Sequence, residues 1–271
     1  MAFLQLFGGR LRVYLAADQV GVVREPGLLR RRVECASVRV APDDAAAPSW
    51  KPAVSALAEL ITSRGWRGLP IEVAVSSEFV RIALVTGIRR RLSATELQGL
   101  AHGMFARVLG ESVADWDVRY CAGDRETVLA AATEKSLISA LEDLARACAG
   151  SLRSVSPLWS CAVNGHRARL ARRSAWLVLA ESRAAAFGLL EHGRWRAMRT
   201  KSLDTGRGLG VARALERESR YLGANTRDVI VVGELQDEGF SADWQVERAP
   251  FSLTRFGALP PECRPAALAG I

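Results

Sequence analysis

The segment SAWLVLAESRAAAFGLLEHGRWRAMRT, residues Ser174–Thr200, decides how the rest of the chain is read. Ala175–Ala180 and Ala184–Leu190 are apolar, β-prone runs separated by Glu181-Ser182-Arg183, a spacing that predicts a tight hairpin. Gly193 then turns the chain into a third strand over Arg194–Thr200. Beyond it a helix is predicted over roughly 209–222, with Ala212, Leu215 and Leu222 on one side and Gly223 at its end. The DVIVV run at Asp228–Val232 has the composition of a fully buried strand.

The same order occurs nearer the N-terminus. Arg12–Ala17 and Gln19–Arg24 read as strands joined by a tight turn, and in Val33–Val40 the residues Ala36, Val38 and Val40 alternate with Ser37 and Arg39. Ser49 is placed to cap a helix with Val54, Leu57, Ala58 and Ile61 on its apolar face, ended by Gly65. Ile71–Val75 closes the unit. Strand-strand-strand-helix-strand, twice, marks a duplication. Hairpins feeding a βα unit predict a mixed sheet with helices over its parallel part. The class is therefore α/β, with a first subdomain over 1–158 and a second over 159–271 that ends in an irregular tail.

The intervening sequence adds elements. Phe79–Val85 is strand-like. Ser93 opens a helix, because Glu96 completes a capping box, and its stripe runs Leu97, Leu100, Met104, Phe105 and Val108 to Gly110. Trp116–Tyr120 and Val128–Ala132 alternate as strands. Thr133 starts a helix carrying Leu137, Leu141, Leu144 and Cys148, stopped at Gly150. Residues 151–170 read as a strand running into a short helix that crosses between the halves.

Composition narrows the function classes. No apolar stretch is long enough to span a bilayer, and MAFLQLFGGR lacks the basic lead of a secretory signal, so a cytoplasmic location is expected. Five scattered cysteines (Cys35, Cys121, Cys148, Cys161 and Cys263) without CxxC spacing predict reduced thiols and no zinc site. The formal charge of +8 comes from arginine, since Lys51, Lys135 and Lys201 are the only lysines. Arg30-Arg31-Arg32, Arg89-Arg90-Arg91 and the Arg167, Arg169, Arg172, Arg173 group fall in turns. They suit solvent or an anionic membrane surface. No aromatics interleave with them as nucleic-acid stacking requires, so nucleic acid is not expected.

Several phrases narrow the fold to one branch: SSEFVRIALV (Ser76–Val85), the helix beginning LSATE, ADWDVRY (Ala114–Tyr120), SVSPLWSCAVNGHRARL (Ser154–Leu170), SAWLVLAES (Ser174–Ser182) and LLEHGRWRAMRT (Leu189–Thr200). Together they resemble the PilM/GspL-type actin-like cytoplasmic proteins of type IV pilus and type II secretion assembly systems. The resemblance covers roughly residues 10–248. It implies an actin-like fold, a duplicated ribonuclease-H-like unit with mixed sheets flanked by helices. It also implies a scaffold that binds the cytoplasmic tail of a bitopic inner-membrane protein (PilN-like) and links it to the assembly ATPase.

Actin-like ATPases cradle phosphates with Asp-x-Gly turns, the carboxylate engaging hydrated metal and glycine letting backbone N–H groups approach. The corresponding turns read Asp18-Gln19-Val20, with glycine displaced to Gly21, and Glu181-Ser182-Arg183, with a cation at the glycine position. The adenosine turn offers Gly233 alone, beside Glu234. Asp18, Gly21, Glu181, Ser182 and Gly233 are thus degenerate pocket positions, and neither ATP turnover nor a bound cofactor is expected. The alternative is a divergent actin-like or sugar-kinase-like nucleotide-binding enzyme. His102, His166 and His192 lack metal-ligand spacing, and Asp43-Asp44 sit in an alanine-proline loop. Gly206-Arg207-Gly208-Leu209-Gly210 matches neither a P-loop nor GxGxxG.

Overall fold

A computed structural model describes residues 9–27, 33–41, 49–88, 90–122, 126–203, 210–233 and 239–249. Strands β1 (Arg10–Leu15) and β2 (Gln19–Glu25) form the first hairpin, and β3 (Glu34–Arg39) pairs antiparallel with β2. Helix α1 (Lys51–Ser63) carries the chain to β4 (Pro70–Val75), parallel to β1, and β8 (Ser151–Pro157) adds parallel to β4. The order is β3-β2-β1-β4-β8. In the second sheet, β9 (Ala175–Ala180), β10 (Ala184–Glu191), β11 (Arg194–Ser202), helix α6 (Val211–Leu222), β12 (Asp228–Gly233) and β13 (Gln245–Ala249) give β11-β10-β9-β12-β13. Strand order and directions match in full. The duplication read from the sequence is therefore structural, and each copy gains a fifth, parallel strand.

Helix α1 packs against β2 and β3 through Ala53, Leu57 and Ile61. Its N-cap is Trp50 without a side-chain cap, not Ser49 as expected. Pro52 in the first turn sets a helical φ and needs no N–H partner, which lessens the need for a capping side chain there. Leu11, Val13 and Leu15 fill the core on one face of β1, and Arg10 and Arg12 project from the other. These arginines meet Glu25 (2.5 and 3.1 Å) and Glu72 (3.1 and 3.5 Å), so the nearly buried Glu25 carboxylate has two cations. In the second sheet Trp176, Val178, Phe187, Leu189, Leu215, Val229 and Val231 form one buried cluster. Burying each such side chain contributes about 1.5–3 kcal/mol.

A third, antiparallel sheet comprises β5 (Val80–Val85), β6 (Trp116–Ala122) and β7 (Val128–Glu134), ordered β5-β7-β6. Helix α2 (Ala94–Leu109) covers it. Its capping box is formed, and hydrogen bonds from Arg90 and Ser93 hold the Glu96 carboxyl at about 2, well below the usual carboxylate value. The buried positions are Ala101 and Phe105, whereas Val108, expected on the core stripe, is 76% exposed. Small residues decide this: Ala101 lets the helix approach Ala130 and Ala132 of β7. Helix α3 (Lys135–Ala147) starts two residues after Thr133 and buries Leu137, Leu141 and Leu144 as expected. Helices α4 (Leu158–Gly165) and α5 (Arg167–Leu170) lead towards β9.

The described residues fall into two compact units, one within Met1–Phe79 and Ser136–Ala162, the other within Val80–Lys135 and Val163–Pro250. Cys35 is disulfide-bonded, which corrects the expectation of reduced thiols at that position. Spacing along the chain cannot report a bond that folding brings together. Cys121, Cys148 and Cys161 form no disulfide, and burial raises the Cys161 thiol pKa.

Candidate functional site

The two hairpin turns are built alike. In the first, Ala16 N–H donates to Gln19 O at 2.9 Å and Val40 N–H donates to Asp18 O at 2.8 Å. In the second, Glu181 N–H donates to Ala184 O at 2.9 Å and Leu203 N–H donates to Arg183 O at 2.7 Å. The turn residues in these bonds, and the registers of β1 on β2 and β9 on β10, align the turns at an offset of 165 residues, with the incoming donors Val40 and Leu203 offset by 163. Ala16 therefore stands where Glu181 stands, Ala17 matches Ser182, and Asp18 matches Arg183. The sequence reading pairs Asp18 with Glu181, and the structure shifts the first turn by two positions. A hydrogen-bond register fixes this equivalence, whereas residue chemistry alone favoured matching acid with acid.

Each turn departs in its own way from the Asp-x-Gly pattern. The first has Ala16 at the position of Glu181 and Asp18 at the position of Arg183. Gly21 lies inside the β2 ladder opposite Tyr14 and Ser37 without a positive φ, so it frees no backbone N–H. The Ala17 N–H is already engaged by the Glu78 carboxylate at 3.4 Å, an anion of the chain itself. In the second turn the buried Glu181 could engage a hydrated cation, but Arg183 puts a long side chain where glycine would expose backbone. Glu181, Ser182 and Arg183 all make further interactions within the chain.

Gly233 ends β12 opposite Ala180 with φ of 102°, a left-handed backbone that glycine alone adopts freely. Glu234 lies outside the described residues, as do Arg30–Arg32, Asp43-Asp44, Arg89, Cys263, the irregular tail and residues 206–209 of the Gly206–Gly210 stretch. Gly210 is the N-cap of α6. His102 and His192 are exposed and His166 is half-buried. No group of three metal-ligating side chains occurs among the described residues. A notch of about 460 Å³ is lined by Thr86, Glu126, His192, Arg194 and Trp195, and its charges are internally paired, Arg194 with Glu126 at 3.7 Å and Arg196 with Glu191.

No protein-family model matches the chain, and no curated protein matches it. Solved structures do. One is a Bacteroides thetaiotaomicron protein of unknown function with an actin-like ATPase fold, at TM-score 0.60 and 12% identity, covering 88% of this chain and 86% of that one. A PilM–PilN type IV pilus biogenesis complex matches at 0.65 and 12%, covering 89% and 88%. The cytoplasmic domain of EpsL, an inner-membrane component of the Vibrio cholerae type II secretion system, matches at 0.54 and 14%, covering 88% and 89%. The fold is thus actin-like, as expected from the sequence.

Proposed function

We propose that this chain is a non-catalytic, cytoplasmic actin-like scaffold at a bacterial inner membrane, in a type IV pilus or type II secretion assembly platform. In this reading it binds the cytoplasmic tail of a bitopic, PilN-like membrane protein and links it to the assembly ATPase. One observation carries the reading. The equivalent turns Ala16-Ala17-Asp18 and Glu181-Ser182-Arg183 each lack the pairing of a carboxylate with a glycine two residues on. Phosphoryl transfer depends on positioned charge around phosphate and metal, and an actin-like protein without those turns keeps the architecture and loses the chemistry.

The likeness in fold to PilM and to the EpsL cytoplasmic domain supports the partner class. No helix among the described residues is long and apolar enough to cross a membrane. An extended tail suits this architecture, because a peptide can add main-chain hydrogen bonds at a sheet edge.

Titration calorimetry with synthetic tails of co-encoded membrane proteins tests the reading. Micromolar binding, about 8 kcal/mol, is the expected result after the ordering of the tail is subtracted. The second reading, a nucleotide-binding enzyme, draws on the buried Glu181 and on Gly233. Metal-dependent phosphate release that Glu181→Ala abolishes, with no tail bound, would replace the scaffold reading with that one.

A further inference from the structure

We propose that the outer face of α6 is a docking surface for an anionic lipid bilayer. At 100° per residue, Val211, Ala212, Leu215, Glu218 and Ser219 fall on the buried side, and Arg213, Arg217, Arg220 and Tyr221 fall on the other. All four outer residues are exposed, Tyr221 by 78%. Arg213 and Arg217 have no hydrogen bond or ion pair with a described residue, and Arg220 reaches only Glu216, at 3.5 Å.

Among the described residues, neighbouring β11 adds positive charge, and its cations meet acids already paired. On neighbouring β11, Lys201 and Arg199 engage Glu218 at 2.9 and 3.9 Å, and Arg196 engages Glu191. Arg196 also donates to the Leu222 carbonyl at the C-terminus of α6 (3.0 Å). Among the described residues, the outer face thus carries Arg213, Arg217 and Arg220 with Glu216 as their one ion-pair partner, while the β11 cations beside the helix are held by Glu191 and by Glu218 on its buried side.

This is not where the sequence placed membrane contact. Among the described residues of those runs, Arg90 is paired with Glu96, and Arg169 and Arg173 with Glu247, which leaves Arg91, Arg167 and Arg172 exposed but not gathered on one helix face. The shape of the α6 face favours a bilayer over nucleic acid. The stripe lies on a convex helix about 18 Å long, not in a groove. Its one aromatic, Tyr221, has an apolar ring with a polar tip, suited to headgroup depth, and no second ring offers a base-stacking platform. The inference goes beyond the scaffold reading, since a chain that binds no tail would still adsorb.

Co-sedimentation of the full chain with phosphatidylcholine vesicles, with and without phosphatidylglycerol, tests it. Binding is expected only with phosphatidylglycerol and is expected to weaken as salt rises. Each arginine at an anionic surface contributes about fivefold, so Arg213→Gln/Arg217→Gln/Arg220→Gln lowers partitioning about 100-fold. The exposed triple variant Arg91→Gln/Arg107→Gln/Arg172→Gln removes the same charge elsewhere and is expected to retain most of the binding. Unchanged circular dichroism shows that both variants fold. The proposal fails if wild-type protein ignores phosphatidylglycerol, or if the two triple variants lose binding equally. It also fails if duplex DNA is bound more tightly than the vesicles and α6 carries that binding.

Discussion

Removing either partner from the Glu218–Lys201 pair leaves a different orphan, and the two costs differ for that reason. Glu218 sits on the buried side of α6 with its side chain 9% exposed, and Lys201 and Arg199 on β11 are each 46% exposed. At these separations the gross attraction is about 4–6 kcal/mol per cation at an effective dielectric of ~20, most of it offset by desolvation. In Lys201→Met the carboxylate stays buried with only Arg199 at 3.9 Å, and we expect a loss of about 2 kcal/mol. In Glu218→Gln an acceptor of the same shape remains and both half-exposed cations return to water, so about 1 kcal/mol or less is expected. The double variant should cost about 1 kcal/mol less than the sum of the two, since the residues touch. Urea unfolding followed by tryptophan fluorescence reads all three, because Trp176 and Trp244 lie in the same core. Equal costs, or a larger one for Glu218→Gln, would refute the reasoning that the buried member of the pair sets the penalty.

Gly193→Ala is expected to destabilise by about 1–3 kcal/mol: the turn residues His192 and Gly193 have φ of 54° and 77°, and an added Cβ would lie 2.6 Å from the Arg172 nitrogen. Denaturant midpoints of the variant check this. The Arg173 hydrogen bond, with the charges of Arg173 and Arg169, lowers the Glu247 pKa below 4.5. Its stabilisation is therefore fully present above about pH 4.5 and is lost as pH falls through the depressed value. Glu247→Gln should match wild type in stability at low pH and fall below it at neutral pH, and a constant gap across that range would contradict this. Ser93→Ala removes half of the capping box and should cost about 1 kcal/mol, visible as a lower urea midpoint.

Periodicity and punctuation along the chain were sufficient to establish the duplication. Alternating apolar runs broken by Glu181-Ser182-Arg183 and by Gly193 predicted the β9–β10–β11 meander, and Gly223 marked the left-handed end of α6 at φ of 59°. The Ser93–Glu96 box was legible because both of its partners lie within one turn of helix. Local signals of this kind act through neighbours a few residues apart, and a sequence displays such neighbours directly.

Tertiary structure decided the rest, because it concerns groups far apart in the chain. Spacing along the chain did not indicate that Cys35 is disulfide-bonded. The alignment of Ala16, and not Asp18, with Glu181 required hydrogen bonds from Val40 and Leu203, which reach each turn from about twenty residues on. The occupation of the Ala17 N–H by Glu78 spans 61 residues. Which arginines are free was equally hidden. The runs that stand out in the sequence include Arg169 and Arg173, held by Glu247, whereas Arg213 and Arg217 are spaced one helical turn apart and form a face only once α6 packs. A sequence states which charges exist, and the fold determines which of them are already neutralised by a partner.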